Sequence, residues 1–173
     1  MKKIVIVING IGGVGKDTIC DLVGKHYSVS NISSITPIKE LATYAGWRGE
    51  KTLAARRLLS DLKFAFNRYN DLSYQYVMDK YNEFLCDQDK QILFVHIREP
   101  EEIDRFVQNI RTPNLTLLIK SSHIEDTVYG NPSDDNVLDY PYDYIYQNEK
   151  SLFELENDFM HYFTNMLSEV FTE

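Results

Sequence analysis

The sequence predicts an α/β fold, a five-stranded parallel sheet with helices on both faces, and three observations lead there. Short, continuous apolar runs recur at residues 4–8, 92–97 and 115–119, the pattern of strands buried on both faces. Stretches of helical periodicity separate them, so strand and helix alternate along the chain. The first run passes through a glycine-rich turn straight into a helix.

Length and charge narrow the possibilities. At 173 residues the chain fits one domain, residues 1–173, with a substantial core. Its longest apolar run is far too short to span a bilayer, and Met1-Lys2-Lys3 leads into a strand instead of a signal peptide's longer apolar region. A cytoplasmic protein without a membrane partner is expected. Cys20 and Cys86 fall in helical stretches without metal-ligand spacing, which favours thiols in a reducing compartment over a disulfide or zinc site. A net charge of −8 argues against general nucleic-acid binding, which needs a basic face. Residues 1–120 hold 17 of the 18 lysines and arginines, whereas residues 121–173 hold only Lys150 against 12 acids. Groups that bind an anion must therefore come from the first two thirds.

The elements follow in order. After the first strand and the turn, Ile19, Leu22 and Val23 mark the inner face of a helix to about His26. Residues 27–33 alternate weakly and give a second strand. Thr36 and Pro37 suit the cap and first turn of a helix that Gly46 ends. From Glu50 to about Asn67, Leu53, Leu58, Leu59 and Leu62 repeat at helical spacing. Another helix follows Asn70-Asp71, its stripe of Tyr74, Val77, Met78, Tyr81 and Leu85 assigned to the core. The strand at 92–97 is broken only by His96, and a helix after it turns Ile103, Phe106, Val107 and Ile110 inward. Residues 115–119 and 142–146 complete the strands. A terminal helix buries Leu152, Leu155, Phe159, Phe163, Met166, Leu167 and Val170. Residues 121–141 show no periodicity and form a long loop of the kind that serves as a lid or binding loop, with plain disorder as the alternative.

The glycine-rich turn carries the chemistry. Gly10, Gly15 and Lys16 meet the GxxxxGK spacing of the P-loop, with Asp17 where its Ser/Thr is expected and Thr18 one place later. Gly10, Gly12, Gly13 and Gly15 can adopt the conformations that aim successive amides, Val14 among them, into one concavity. The N-terminus of the following helix favours an anion there, and Lys16 adds a mobile full charge. A nucleoside triphosphate is the expected ligand. Ligands in such sheets bind beyond the carboxyl ends of the strands, where Arg98 and the segment after Lys120 also fall.

In this order and spacing Gly15-Lys16-Asp17-Thr18, Pro37-Ile38-Lys39-Glu40, Arg56-Arg57-Leu58-Leu59, Arg98-Glu99-Pro100-Glu101-Glu102 and Asp143-Tyr144-Ile145 with Asn148 resemble the P-loop deoxynucleoside monophosphate kinases of phages, relatives of the nucleoside monophosphate kinases. The resemblance covers most of the chain. It implies a three-layer P-loop NTPase fold with sheet order 2-3-1-4-5, and transfer of the γ-phosphoryl group of ATP to a nucleoside or deoxynucleoside monophosphate; the alternatives are a P-loop kinase for another phosphorylated small molecule and a nucleotide-binding regulatory protein without kinase activity. Residues 34–70 would bind the acceptor and 121–141 form the lid. Lys16 would bridge the phosphates, Thr18 bind a phosphate or the metal's water shell, and Arg56 and Arg98 hold the acceptor phosphate as bidentate donors. Lys39 and Lys63 are further candidates for that surface, and each reads equally as a solvated helix charge.

Two positions depart from the family pattern. His96 stands where the third strand usually supplies an aspartate for Mg²⁺, which leaves Asp17 as a substitute ligand or as an acid merely favourable at a helix N-terminus. The lid segment contains no arginine, so Lys120, with His123, is the candidate to bring charge to the transferring group.

Overall fold

The computed structural model describes residues 2–123 and 136–172. Its strands are β1 (Ile4–Asn9), β2 (Val29–Ser33), β3 (Ile92–His96), β4 (Asn114–Lys120) and β5 (Tyr144–Gln147). The helices are α1 (Lys16–Gly24), α2 (Thr36–Tyr44), α3 (Leu53–Asn70), α4 (Leu72–Cys86), α5 (Pro100–Asn109) and α6 (Leu152–Thr172). A single 3₁₀ turn, Asn136–Leu138, precedes β5.

All five strands run parallel in the order β2-β3-β1-β4-β5, the order expected. β1 lies at the centre and every one of its residues is buried. Because strand side chains alternate between faces, β1 serves two cores. Ile4, Ile6 and Ile8 pack with Ile19 and Val23 of α1 and with Leu155, Phe159 and Phe163 of α6. Val5 and Val7 pack with Val77, Tyr81 and Phe84 of α4 and with Ile103 and Phe106 of α5. Three layers result. Among the described residues, no helix is long and apolar enough to cross a membrane.

Several local expectations change. Ile35, not Thr36, occupies the N-cap of α2, and Thr36 is the first helical residue. The side-chain cap belongs to α3, where Thr52 accepts the N–H of Ala55 at 3.2 Å. The leucine repeat of α3 does mark a helix, but Leu53 and Leu58 are exposed and the fully buried contacts come from Ala55 and Lys63. In α4 Leu85 is exposed and Phe84 takes the core position. Leu152 is exposed at the start of α6. β2 begins at Val29, and β5 begins at Tyr144 because the two residues before it serve side-chain contacts. The Asp143 carboxylate accepts both the N–H and the hydroxyl of Thr116 at 2.8 Å, fixing the entry to β5 beside β4. Residues 124–135 of the expected lid lie outside the described residues.

Candidate functional site

The sheet order gathers three strand ends. Ile8 is opposite His96 of β3, and Asn9 is opposite Leu118 of β4. The turn leaving β1 closes over them with positive φ at Gly10, Gly13 and Gly15 (146°, 95° and 93°). At two of these positions an added side chain would force a neighbour to shift. A Cβ on Gly10 would run into the carbonyl oxygen of Ile119, and one on Gly15 would lie 2.6 Å from Asn148 Nδ2. Gly15 is also the left-handed N-cap of α1 and makes no side-chain cap bond. A turn of this build leaves amides and the positive end of a helix dipole at one mouth, an arrangement that receives anions.

Lys16 folds back across the turn. Its ammonium donates to the carbonyls of Gly10 at 2.6 Å and Ile11 at 2.9 Å. Burial, and then the charge of Arg98, lower its pKa to about 8, against the opposing pull of Asp17. Arg98, half-buried just past β3, therefore stands within electrostatic reach of Lys16. Arg56 joins from α3, its Nη2 lying 3.6 Å from the place a Cβ on Gly12 would take. Three cationic side chains from α1, α3 and the end of β3 thus converge on the turn. Asp17 is exposed and Thr18 half-buried in the first turn of α1, while Val14 is buried. Lys120 ends β4, and its carbonyl accepts the N–H of Asn148 at 2.7 Å.

The other candidate cations lie differently. Lys39 is exposed on α2, and its charge reaches His96. Lys63 is buried, its ammonium held by the carboxylates of Glu99 and Glu102, the latter at 2.8 Å. This lysine ties α3 to the start of α5 instead of presenting a charge to a ligand. Burial raises the Glu102 pKa to about 7 despite the ammonium beside it. His96 has a neutral structural setting, with Nε2 2.8 Å from Asn31 Oδ1 and 3.9 Å from the Cys20 sulfur. Burial lowers its pKa to about 4. Burial likewise pushes the Cys20 thiol up, and neither cysteine forms a disulfide.

Three contributors to the site have no local sequence signal. Asn148 donates to the Val14 carbonyl at 2.8 Å. Asn9, almost fully buried, accepts the Gly10 N–H at 2.9 Å and donates to the Tyr142 hydroxyl at 2.7 Å. Glu149 accepts the Ser122 N–H at 2.7 Å and its hydroxyl at 2.6 Å, and lies 3.5 Å from His123. The resemblance named Asn148 but gave it no contact; Asn9 falls between the first apolar run and the glycine turn with no role assigned, and Tyr142 reads only as a strand residue.

The chain is similar to TT1252 from Thermus thermophilus, with a TM-score of 0.52 and 15% identity over 95% of this chain and 98% of that one. The two share a fold. A sugar kinase from Janibacter sp. HTCC2649, solved unliganded, gives a TM-score of 0.46 at 11% identity, covering 95% of each chain. That likeness is too distant to carry an argument. No protein-family model and no curated protein matches the chain.

Proposed function

We propose that this chain is a P-loop phosphotransferase that moves the γ-phosphoryl group of ATP to a small molecule already bearing a phosphate, a nucleoside or deoxynucleoside monophosphate being the acceptor class. The observation that carries the reading is the convergence of Lys16, Arg56 and Arg98 on a glycine turn whose amides begin a helix. Phosphoryl transfer asks for little beyond alignment and neutralisation of charge. On binding, Lys16 exchanges its two carbonyl partners for phosphate oxygens, and the amides of residues 12–18 enclose the polyphosphate. Arg56 and Arg98 orient the acceptor phosphate, with Lys39 at the margin of that surface. Lys120, at the mouth of the same strands, is the remaining cation for the transferring group. Lys63 supports this arrangement through Glu99 and Glu102 and does not touch the acceptor.

Among the described residues, no three His, Cys, Asp or Glu side chains gather into a metal centre. The donors on the first turn of α1, one carboxylate and one hydroxyl, fit a magnesium ion that keeps most of its water and takes its other ligands from phosphates. Asp17 and Thr18 would hold it, and it would neutralise charge between the β and γ phosphates.

Purified protein with ATP, Mg²⁺ and each common nucleoside monophosphate, assayed for ADP release, tests the reading. Turnover with one acceptor, lost in Lys16→Met and reduced in Arg98→Ala, is the expected result. A second reading draws on the absence of any arginine after Arg111: a nucleotide-binding protein without transfer. Tight ATP binding with no acceptor-dependent ADP release would select it. Absence of ATP binding would remove both.

A further inference from the structure

The start of the glycine turn is held by an unbroken relay of hydrogen bonds that ends in a segment distant in sequence. The Gly10 N–H donates to Asn9 Oδ1 at 2.9 Å, and Asn9 Nδ2 donates to the Tyr142 hydroxyl at 2.7 Å. That hydroxyl donates in turn to the Val137 carbonyl at 2.8 Å. Asn9 Nδ2 has a second, longer contact, to the carbonyl of Arg98 at 3.3 Å. Every donor in the relay points the same way, so the amide orientation of Asn9 is fixed by its neighbours. Asn9 is 1% exposed, and a buried amide that loses a partner must rotate or remain unsatisfied. The ring of Tyr142 is braced separately by Tyr140, edge to face with centroids 5.0 Å apart.

We infer that Tyr142 and Asn9 are positioning residues for phosphate binding: the Tyr142 hydroxyl sets the Asn9 amide, which aligns both the first amide of the glycine turn and the backbone that carries Arg98. The inference rests on the proposed phosphotransferase reading, since it deepens the role of the same site. Neither side chain needs to touch a ligand for this. Gly10 opens the turn that Lys16 spans, and Arg98 is a cation whose charge acts on that lysine, so one buried amide governs the spacing between the two. Binding energy for a polyphosphate depends on donors already in place, because each misplaced amide must be reordered at the expense of affinity.

The test compares Tyr142→Phe, which keeps the ring and removes the hydroxyl, with Tyr144→Phe, a matched deletion whose hydroxyl donates to Glu169 at 2.8 Å. ATP affinity in the presence of Mg²⁺ is read by calorimetry, and amide hydrogen exchange at Gly10 is read without nucleotide. Tyr142→Phe is expected to weaken ATP binding by about tenfold and to speed Gly10 exchange, while Tyr144→Phe changes neither. Asn9→Ala should match or exceed Tyr142→Phe. If Tyr142→Phe binds ATP within about twofold of the parent, the inference is overturned even where thermal stability falls. If the parent binds no ATP, the phosphotransferase reading fails by itself. The exchange measurement then decides the relay, and unchanged protection at Gly10 in Tyr142→Phe overturns it.

Discussion

Asn148 holds Val14 by a hydrogen bond from its side-chain amide to the backbone carbonyl, 2.8 Å long and spanning 134 residues of sequence. The same amide stands where a side chain on Gly15 would go. The exit of β5 and the glycine turn are therefore built against each other. Gly15→Ala should abolish nucleotide binding, since it combines a φ of 93° with a collision. Asn148→Ala leaves the Val14 carbonyl without its partner and should lower stability by about 1 kcal/mol. Chemical denaturation of both variants beside ATP titration separates the two effects.

Nucleotide affinity should depend on pH through Lys16. Its pKa of about 8 in the folded protein means that the ammonium is partly neutral in mildly alkaline solution, whereas a bound polyphosphate favours the charged form. Binding then takes up a proton, and affinity falls as pH rises through 8. Calorimetry in buffers of different ionisation enthalpy should reveal that uptake. Lys16→Met should bind about 100-fold more weakly, about 2.7 kcal/mol, and lose the pH dependence.

The Lys63 cluster makes an asymmetric prediction about stability. Lys63→Met leaves Glu99 and Glu102 facing each other in a half-buried site and should cost about 3–5 kcal/mol. Glu102→Gln should be far milder, because Glu99 still satisfies the ammonium. The Glu102 pKa is raised to about 7 from its model-compound value of 4.5, so the folded state binds more protons than the unfolded one between those limits. Its contribution is full below pH 4.5 and is lost as pH rises through 7. A urea series across that window should show this slope in the parent and not in Glu102→Gln.

His96 works in the opposite direction. Its folded pKa is near 4, against 6.5 for an unburied imidazole, so unfolding takes up a proton between these values. Stability should decline as pH falls from 6.5 to 4. His96→Gln keeps a polar side chain beside Asn31 without a titrating ring, and its denaturation midpoint should be flatter over that range.

Asp17 is the remaining test of the metal assignment. Asp17→Ala should raise the Mg²⁺ concentration needed for half-maximal ATP binding by about tenfold, about 1.4 kcal/mol of metal affinity. An unchanged magnesium titration would return Asp17 to the role of a helix N-terminal acid.

The fold was legible where chemistry is local. The run Ile4-Val5-Ile6-Val7-Ile8 followed by glycines admits little besides a buried strand entering a tight turn, and strand order followed from the resemblance. What escaped was long-range. Lys63 sits among leucines on a helix and reads equally as an acceptor-binding cation or a solvated charge; Glu99 and Glu102, more than thirty residues away, make its burial tolerable. Leu53 and Leu58 have the spacing of a core stripe, yet both are exposed and α3 buries Ala55 and Lys63 instead. Asn9 and Tyr142 gave no signal because a side-chain bond across 133 residues leaves no periodic trace.

The placement of β1 bears on how the chain is made as well as on what it binds. Both of its neighbours, β3 and β4, lie far downstream, with pairing partners at Ile92–His96 and from Asn114 to Leu118. An emerging polypeptide on the ribosome must hold the apolar run Ile4–Ile8 for 88 residues before its β3 edge can be satisfied, and for longer before β4 covers the other. Sheets closed by such distant partners form slowly and expose sticky edges meanwhile. Chains released before about residue 120 should aggregate, and holdase chaperones should bind first at the segment that later carries the glycine turn.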